Sequence, residues 1–401
     1  WAGSFPVFVK EAKGAHFTDV DGNSYIDFCL GDTGAMTGHS PDATIKSINE
    51  QIEKGITLML PYEDVIWVGE ELQRRFKLPY WQFALTATDA NRFALRMARL
   101  ITERQKILVF NYCYHGSVDE TFITLDEEGT PMSRPNNMGP QVNPLHTTKV
   151  IEFNDIGALE TVLSARDVAA VLAEPVMTNI GIIHPQKGYH DALREMTRKY
   201  GTYLIIDETH TICTSPGGYT ASFDLQPDFL TLGKPLASGV PAAVYGFTEE
   251  ISQAFAKKLN VDDADVGGIG GTLAGNALSI AAMKATLQNV LTEDFYTKAI
   301  ALQEKFTAGV ESVIQEFELP WIVKRLGNRS EYWFRPTPPK NGGEAHATID
   351  RELDRYMHLF TLNRGILMTP FHNMALISPE TTQADVDYHT KIFREAVQSL
   401  F

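Results

Sequence analysis

The chain has 401 residues, with 35 Lys and Arg against 50 Asp and Glu, a formal charge of −15. Hydrophobic residues make up 44% and charged residues 21%, and with 22 Phe, 14 Tyr and 5 Trp the chain has too much to bury for a disordered protein. The acidic balance argues against an electrostatic hold on nucleic acid or on anionic membrane surfaces.

Three cysteines, Cys29, Cys113 and Cys213, stand far apart with no CxxC. An odd count in a long chain implies no disulfide framework, and a reduced, cytoplasmic compartment fits best. No apolar run approaches the roughly 18–20 residues that span a bilayer. No HExxH or Cys/His cluster has metal spacing, so no metal is expected. The chain opens on Trp1, which leaves the natural N-terminus open.

In chain order, short strands are expected at Phe8–Lys10, His16–Thr18 and Tyr25–Phe28, separated by Lys13-Gly14 and Asp21-Gly22-Asn23. A helix follows over 41–55, with Ile45, Ile48 and Ile52 on one side. From about residue 83, apolar runs alternate with amphipathic ones. Strands are predicted at Ile107–Phe110, Lys149–Phe153, Ala169–Ala173, Tyr203–Ile206, Phe229–Leu232 and Ala242–Phe247, with helices such as Asp89–Glu103, Ile156–Ser164 and Tyr189–Tyr200. That alternation predicts a mostly parallel sheet covered by helices on both faces. The chain then reads as helical from about 274 to 317, strand-like around Trp321–Arg335 with a break at Gly327-Asn328, and helical again at Ile349–Asn363 and Gln383–Phe401. The expected organisation is an α/β large domain over 61–285 and a smaller α+β domain built from both chain ends, 1–60 and 286–401.

Ligands of α/β sheets bind outside the carboxyl ends of the strands. There the sequence places Glu174 and Asp207, each directly after a predicted strand, and Lys234, one glycine beyond the end of Phe229–Leu232. For any one alone, a structural ion pair is the plainer explanation. Together, a desolvated lysine able to form a Schiff base and an aspartate able to pair a pyridinium nitrogen are the protein half of pyridoxal-phosphate chemistry.

A phosphate site is expected at Thr86-Ala87-Thr88-Asp89, where small hydroxyl residues open a helix. The plainer alternative is an N-cap by Thr88 or Asp89. Tyr114, after the Ile107–Phe110 strand, can stack on a pyridine ring. Gly267–Gly275 is the densest glycine stretch. An acidic loop, Asp262–Asp265, precedes it rather than a strand, so it is no dinucleotide fingerprint. Gly233-Lys234-Pro235 lacks the Ser or Thr of a Walker A, and no GxSxG is present.

These motifs, in this order and spacing, resemble the class III pyridoxal-phosphate aminotransferases of fold type I, in the branch of glutamate-1-semialdehyde aminomutase and the omega-transaminases. The resemblance spans nearly the whole chain. It rests on Gly14–Asp27, Gly38-His39, Thr86–Ala90, Tyr114-His115-Gly116, Asp207-Glu208, Leu232-Gly233-Lys234 and Gly271–Asn276. It implies that Lys234 bonds to pyridoxal 5'-phosphate and shuttles the substrate proton, and that Asp207 pairs the ring nitrogen. Tyr114 and Thr209 would press on the two ring faces. Thr86, Ala87 and Thr88 would form the phosphate cup, with His115 and Glu174 beside the ring. Thr272 would reach the phosphate of the neighbouring subunit's cofactor, which makes a homodimer the minimal active unit.

The chain departs from the pattern at Ala87, Asp89 and Thr209. It departs again at Thr214, where the aminomutase motif ends in arginine, and at Pro235–Gly239. The expected activity is a transaminase passing an amino group between an amine or non-α amino acid and pyruvate or 2-oxoglutarate. The alternative is an intramolecular aminomutase. A cofactor-less binding protein is the third reading, and the presence of Lys234 weighs against it. A substrate carboxylate would call for an arginine among Arg325, Arg329, Arg335 and Arg364. Tyr62, Trp67, Trp81 and Phe83 are candidates for an aromatic substrate pocket, or simply core.

Overall fold

The central sheet has seven strands. Across it lie Tyr80–Ala84, Ala243–Phe247, Phe229–Leu232, Tyr203–Asp207, Val168–Ala173, Lys106–Phe110 and Thr148–Ile151. All neighbours pair in parallel except Ala243–Phe247, which runs antiparallel to both strands beside it. This is the arrangement in a computed structural model that describes residues 6–135, 137–138, 143–259 and 266–401. Trp1 and the acidic loop Asp262–Asp265 lie outside the described residues.

The strands form where the sequence has short unbroken apolar runs. Every residue of Val168–Ala173 is buried, as a strand covered on both faces requires. Burying each large side chain there, such as Val171 or Leu172, contributes on the order of 1.5–3 kcal/mol. A charge at Val171 would break the layer.

The predicted helices Ile156–Ser164 and Tyr189–Tyr200 keep their bounds. The helix expected from Asp89 begins two residues earlier and spans Ala87–Thr102. It packs Ala90, Asn91, Ala94, Leu95 and Ala98 inward, at the i, i+4, i+8 spacing of one helix face. The helical stretch from 274 is two helices, Ala277–Asn289 and Glu293–Glu316, because Thr292 caps the second through Phe295 N.

Two smaller sheets draw on both chain ends. Val9–Lys13, His16–Asp19 and Ser24–Asp27 form a meander, and Ile366–Leu367 adds to it in parallel beside Ser24–Asp27. Ile322–Leu326, Arg329–Trp333 and Met374–Leu376 form the other. One core cluster joins Phe28, Leu230, Leu232, Ile280, Phe306 and Phe393.

The hairpin turn at Gly327 has φ +57° and packs so closely that a Cβ there would lie 2.1 Å from the Cys213 carbonyl oxygen. Only glycine meets both demands. Asn328 N donates to that same oxygen at 3.1 Å, so the Arg329–Trp333 strand is pinned against the segment that follows His210. Among the described residues no helix is long and apolar enough to cross a membrane. All three cysteines are free and buried.

Candidate active site

Parallel register aligns Ala173 with Ile206, and Thr231 with Asp207. Glu174, Asp207 and Lys234 therefore leave the same edge of the sheet. A cavity of about 700 Å³ opens there. Among its walls are Thr86, Ala87, Thr88, Tyr114, Asp207, Thr209 and Lys234, so seven residues singled out in the sequence meet around one space.

Asp207 is the most heavily partnered of them. Its Oδ2 accepts from Asn91 Nδ2 and from His115 Nδ1, each at 2.9 Å, and its Oδ1 accepts from Thr209 N at 3.1 Å. Burial pushes this carboxyl up, but the hydrogen bond and charge of His115, with the bonds from Thr209 and Asn91, outweigh it and hold the pKa low. Burial likewise pushes His115 down, and the Cys113 sulfur and the Asp207 carboxylate outweigh that and raise it. Asn91 is fully buried, and its Oδ1 accepts from Thr231 Oγ1 at 2.7 Å. The aspartate thus stands as an oriented anion.

At the helix start, Thr86 is the N-cap, rather than Thr88 or Asp89. Its Oγ1 accepts from Asp89 N at 3.2 Å and donates to Asp89 Oδ2 at 2.9 Å. That frees Thr88, whose Oγ1 accepts from Ser117 N at 3.0 Å and keeps its own hydroxyl proton to donate. The first-turn N–H groups of Ala87 and Thr88 have no carbonyl partner within the helix, and both residues line the cavity. Two glycines allow the close packing here. A Cβ on Gly116 would fall 2.0 Å from Thr88 Oγ1, and one on Gly233 would fall 3.0 Å from Ala87 Cβ.

Lys234 follows Gly233 with φ +48°, the left-handed region that a side chain occupies at a cost. Its Nζ is 2.8 Å from Asp32 Oδ2 and 2.8 Å from His210 Nε2. Asp32 lies in a run of left-handed residues, Leu30 (φ 46°), Gly31 (57°), Asp32 (50°) and Thr33 (81°). Asp27 Oδ1 holds the run by accepting from Leu30 N at 2.8 Å. Strain of this kind, about 1–3 kcal/mol per residue, persists where the surroundings enforce it and clusters at functional sites. Burial raises the Asp32 carboxyl, while the charges of His210, Lys234 and Arg329 pull it well below the usual range.

Behind His210 stands Arg329, fully buried. Its Nη1 is 3.0 Å from His210 Nδ1, and its Nη2 donates to the Thr178 carbonyl at 3.3 Å. Of the four arginines considered from sequence, it alone reaches the lysine's neighbours. Arg325 pairs Glu304, Arg335 donates to the Glu344 carbonyl, and Arg364 lies over Phe360.

Glu174 reaches the same sheet edge but is turned inward. It is buried, accepts from Thr178 N at 2.8 Å and from Thr178 Oγ1 at 2.5 Å, and does not line the cavity. Burial raises its carboxyl. Thr272 sits exposed in a turn outside this cavity. Tyr62, Trp67, Trp81 and Phe83 are partly buried, pack against the main core and do not line this cavity.

Asp32, Thr33 and Asn91 were not singled out in the sequence. Asp32 and Thr33 carried a signal, an acidic residue and a hydroxyl residue between two glycines. Asn91 carried a weaker one, an amide one turn inside a helix whose other inward residues are apolar.

The cavity suits a small planar aromatic aldehyde with a phosphate. A lysine amine and an oriented anion face it, helix N–H groups and a hydroxyl meet at one side, and Tyr114 offers an aromatic plate. Thr209 Oγ1 is buried without a partner among the described residues. An orphaned hydroxyl beside Asp207 fits a site that awaits a polar ring substituent.

Comparison with known proteins agrees. The sequence model of the class-III aminotransferases matches residues 1–396. A glutamate-1-semialdehyde 2,1-aminomutase of Desulfitobacterium hafniense is 31% identical over 405 residues, covering 99% of this chain and 92% of the relative. The crystal structure of a glutamate-1-semialdehyde aminomutase from Pseudomonas aeruginosa PAO1 superposes with TM-score 0.96 at 48% identity, covering 98% of this chain and 88% of that one. An omega-transaminase from Sphaerobacter thermophilus superposes with TM-score 0.90 at 26% identity, over 99% and 92% of the two chains. The fold is that of the fold type I enzymes, and the cofactor is pyridoxal 5'-phosphate. The chain belongs to the class-III aminotransferase family.

Proposed function

We propose that the protein moves an amino group within a single small amino-carbonyl substrate, as a pyridoxal-phosphate-dependent aminomutase. The observation that carries the chemistry is that Lys234 and Asp207 line one cavity. The choice of aminomutase rests on the relatives at 31% and 48% identity, both named glutamate-1-semialdehyde aminomutases.

When bound, the cofactor supplies an electron sink that acidifies the substrate carbon bearing the nitrogen. The chain's residues would divide the remaining work. Lys234 would hold the cofactor covalently and carry the proton to and from that carbon. Asp207, kept anionic by His115 and Asn91, would pair the ring nitrogen. Tyr114 and Thr209 would bracket the ring. Ala87 and Thr88 would bind the phosphate through N–H groups and a hydroxyl, with Thr86 holding the helix start in place. Thr272, exposed and outside its own cavity, would serve the neighbouring subunit in a homodimer. Three buried free thiols support a reducing, cytoplasmic setting.

The transaminase reading, with separate amine and keto-acid substrates, is favoured by two observations. Thr214 occupies the place of the aminomutase arginine, and the omega-transaminase shares the fold at TM-score 0.90. Turnover of an amino-aldehyde with and without added pyruvate or 2-oxoglutarate separates the two. An aminomutase isomerises the substrate with neither acid present; dependence on a keto acid would instead establish the transaminase.

A further inference from the structure

We propose that Thr286 is a positioning residue for Lys234: by accepting from Ser238 it fastens the turn Lys234–Ala237 to the helix Ala277–Asn289 and fixes the backbone that carries the lysine. The inference rests on the proposed covalent role of Lys234 and adds residues outside the family motifs named above.

The turn needs a fastening. Lys234 and Ser238 stand at its two ends with φ +48° and +50°, in the left-handed region that glycine occupies freely and a side chain occupies at a cost. Pro235 fixes one further φ inside the turn, and Leu236 and Ala237 are buried in the main core. Ser238 is half-buried and lines the cavity, in the stretch where the chain departs from the family pattern.

Three hydroxyls meet behind it. Ser238 Oγ is 2.9 Å from Thr286 Oγ1, Thr44 Oγ1 is 3.1 Å from the same oxygen, and Thr44 and Ser238 are 3.4 Å apart. Donor accounting gives their roles. Thr286 Oγ1 lies 2.8 Å from the Ala282 carbonyl oxygen, which can only accept, so Thr286 gives its single proton there. Its oxygen keeps two lone pairs, and Ser238 and Thr44 each donate to one of them. Thr286 and Thr44 are shut off from solvent, so these bonds are not exchanged for water. No ionisable side chain takes part.

The same helix holds the chain again past the turn, where Ser279 Oγ donates to the Pro241 carbonyl at 2.9 Å. The helix Asp42–Ile52 braces it from the other side, through Thr44 and through Ser47 Oγ, which donates to the Ala281 carbonyl at 3.0 Å. Before the lysine, Gly233 packs against Ala87. Lys234 is thus held between the start of the helix Ala87–Thr102 and the hydroxyl cluster. A fixed backbone matters for a bond that must form at one place. When Nζ bonds to the cofactor's aldehyde carbon, two of the nitrogen's protons leave with the aldehyde oxygen as water, and the ring is tied to the backbone. A backbone set in advance spares the cost of ordering it at that moment.

The test compares two ligands by equilibrium dialysis against cofactor-free protein. Pyridoxal phosphate can form the bond to Lys234. Pyridoxamine phosphate has the same ring and phosphate with an amine in place of the aldehyde, and cannot. Thr286→Val keeps the shape and removes the acceptor. It should weaken pyridoxal phosphate about five-fold, the size of one neutral hydrogen bond, and change pyridoxamine phosphate by less than about two-fold. Thr286→Ser, which keeps the hydroxyl, should bind both as the wild type does. Ser238→Ala should show the same selective loss, and adding Thr286→Val to it should change little more, because the two lose one shared bond. Thermal midpoints check that each variant folds. Equal weakening of both ligands by Thr286→Val, wild-type affinity for pyridoxal phosphate, or losses that simply add in the double variant would overturn the proposal. If Thr286→Val is too unstable to assay, Ser238→Ala and Thr286→Ser decide: a selective loss in the first and none in the second supports the proposal, and any other pattern overturns it. Pyridoxal phosphate held equally tightly by the wild type and Lys234→Ala would instead sink the functional reading beneath it.

Discussion

His115 Nδ1 and Asp207 Oδ2 lie 2.9 Å apart with both side chains shut off from solvent. The Asp207 carboxyl is held below its usual value and the His115 imidazole above, so the folded protein keeps the pair ionised. The stability signs follow by linkage. The Asp207 contribution is complete above about pH 4 and is lost as pH falls. The His115 contribution is complete below about pH 6.5 and is lost as pH rises toward its raised folded value. In cofactor-free protein, Asp207→Asn should cost about 3–5 kcal/mol at pH 5.5, the expense of stranding a buried partner. The gap in thermal midpoint should be smaller at pH 9. An equal gap at both pH values would mean the pair is not ionised as described.

Gly116 has φ +76°, and a Cβ there would overlap Thr88 Oγ1. Gly116→Ala should therefore displace Thr88 and the Ser117 N–H it accepts from, at a backbone cost of about 1–3 kcal/mol. Cofactor affinity, measured by equilibrium dialysis, should fall with it. Gly22 also has a positive φ, but no atom lies within 4 Å of where its Cβ would be. Gly22→Ala should pay the backbone strain and leave affinity unchanged. Equal affinities for the two variants would remove the argument that Thr88 shapes the site.

Two buried histidines make the protein acid-sensitive. Burial pushes His389 down to about 3 and His358 down to about 4. Below about pH 6.5 the unfolded chain binds protons that these sites refuse, so stability falls as pH drops from there toward 4, by up to about 1.4 kcal/mol per pH unit for each group. His389 packs against Phe28, Phe306 and Phe393. His389→Phe keeps that packing and removes one titrating group. Its thermal midpoint plotted against pH should be flatter than the wild type's between 6.5 and 4, whereas parallel curves would exclude His389 from the effect.

Thr272 lies exposed and outside its own cavity. In a homodimer that shares phosphate contacts, Thr272→Ala should weaken cofactor binding about ten-fold and Thr272→Ser should not. Unchanged binding by Thr272→Ala, with the dimer intact by solution mass, would dismiss the cross-subunit contact.

Much of the site was legible because parallel strands that end in polar residues necessarily present them at one edge. Asp207, Lys234 and Tyr114 stand out by that rule, Thr88 stands out as a hydroxyl residue at a helix start, and the order of the motifs ties all four to a family. Strand direction was less legible. An apolar run such as Ala243–Phe247 carries no mark of which way it runs, and this strand is antiparallel to its neighbours. The helix Asp64–Phe76 is hard to see in the sequence because Glu63 at its N-cap makes no side-chain cap bond and its left-handed C-cap is Lys77 rather than glycine. The residues around Lys234 were hardest. Asp32 is 202 positions away, and Arg329 reaches His210 across 119. The Arg329 contact depends on the Gly327 turn meeting Cys213, and the Asp32 contact on the left-handed run at Leu30–Thr33, neither of which a local pattern encodes.

The central claim is that Lys234 is the covalent anchor of the cofactor. Borohydride reduction of the cofactor-loaded protein, followed by proteolysis and peptide mass spectrometry, tests it directly. The account predicts a single pyridoxyl-phosphate adduct on the peptide containing Lys234, absent from Lys234→Ala. An adduct on another lysine, or none on the wild type, would contradict it.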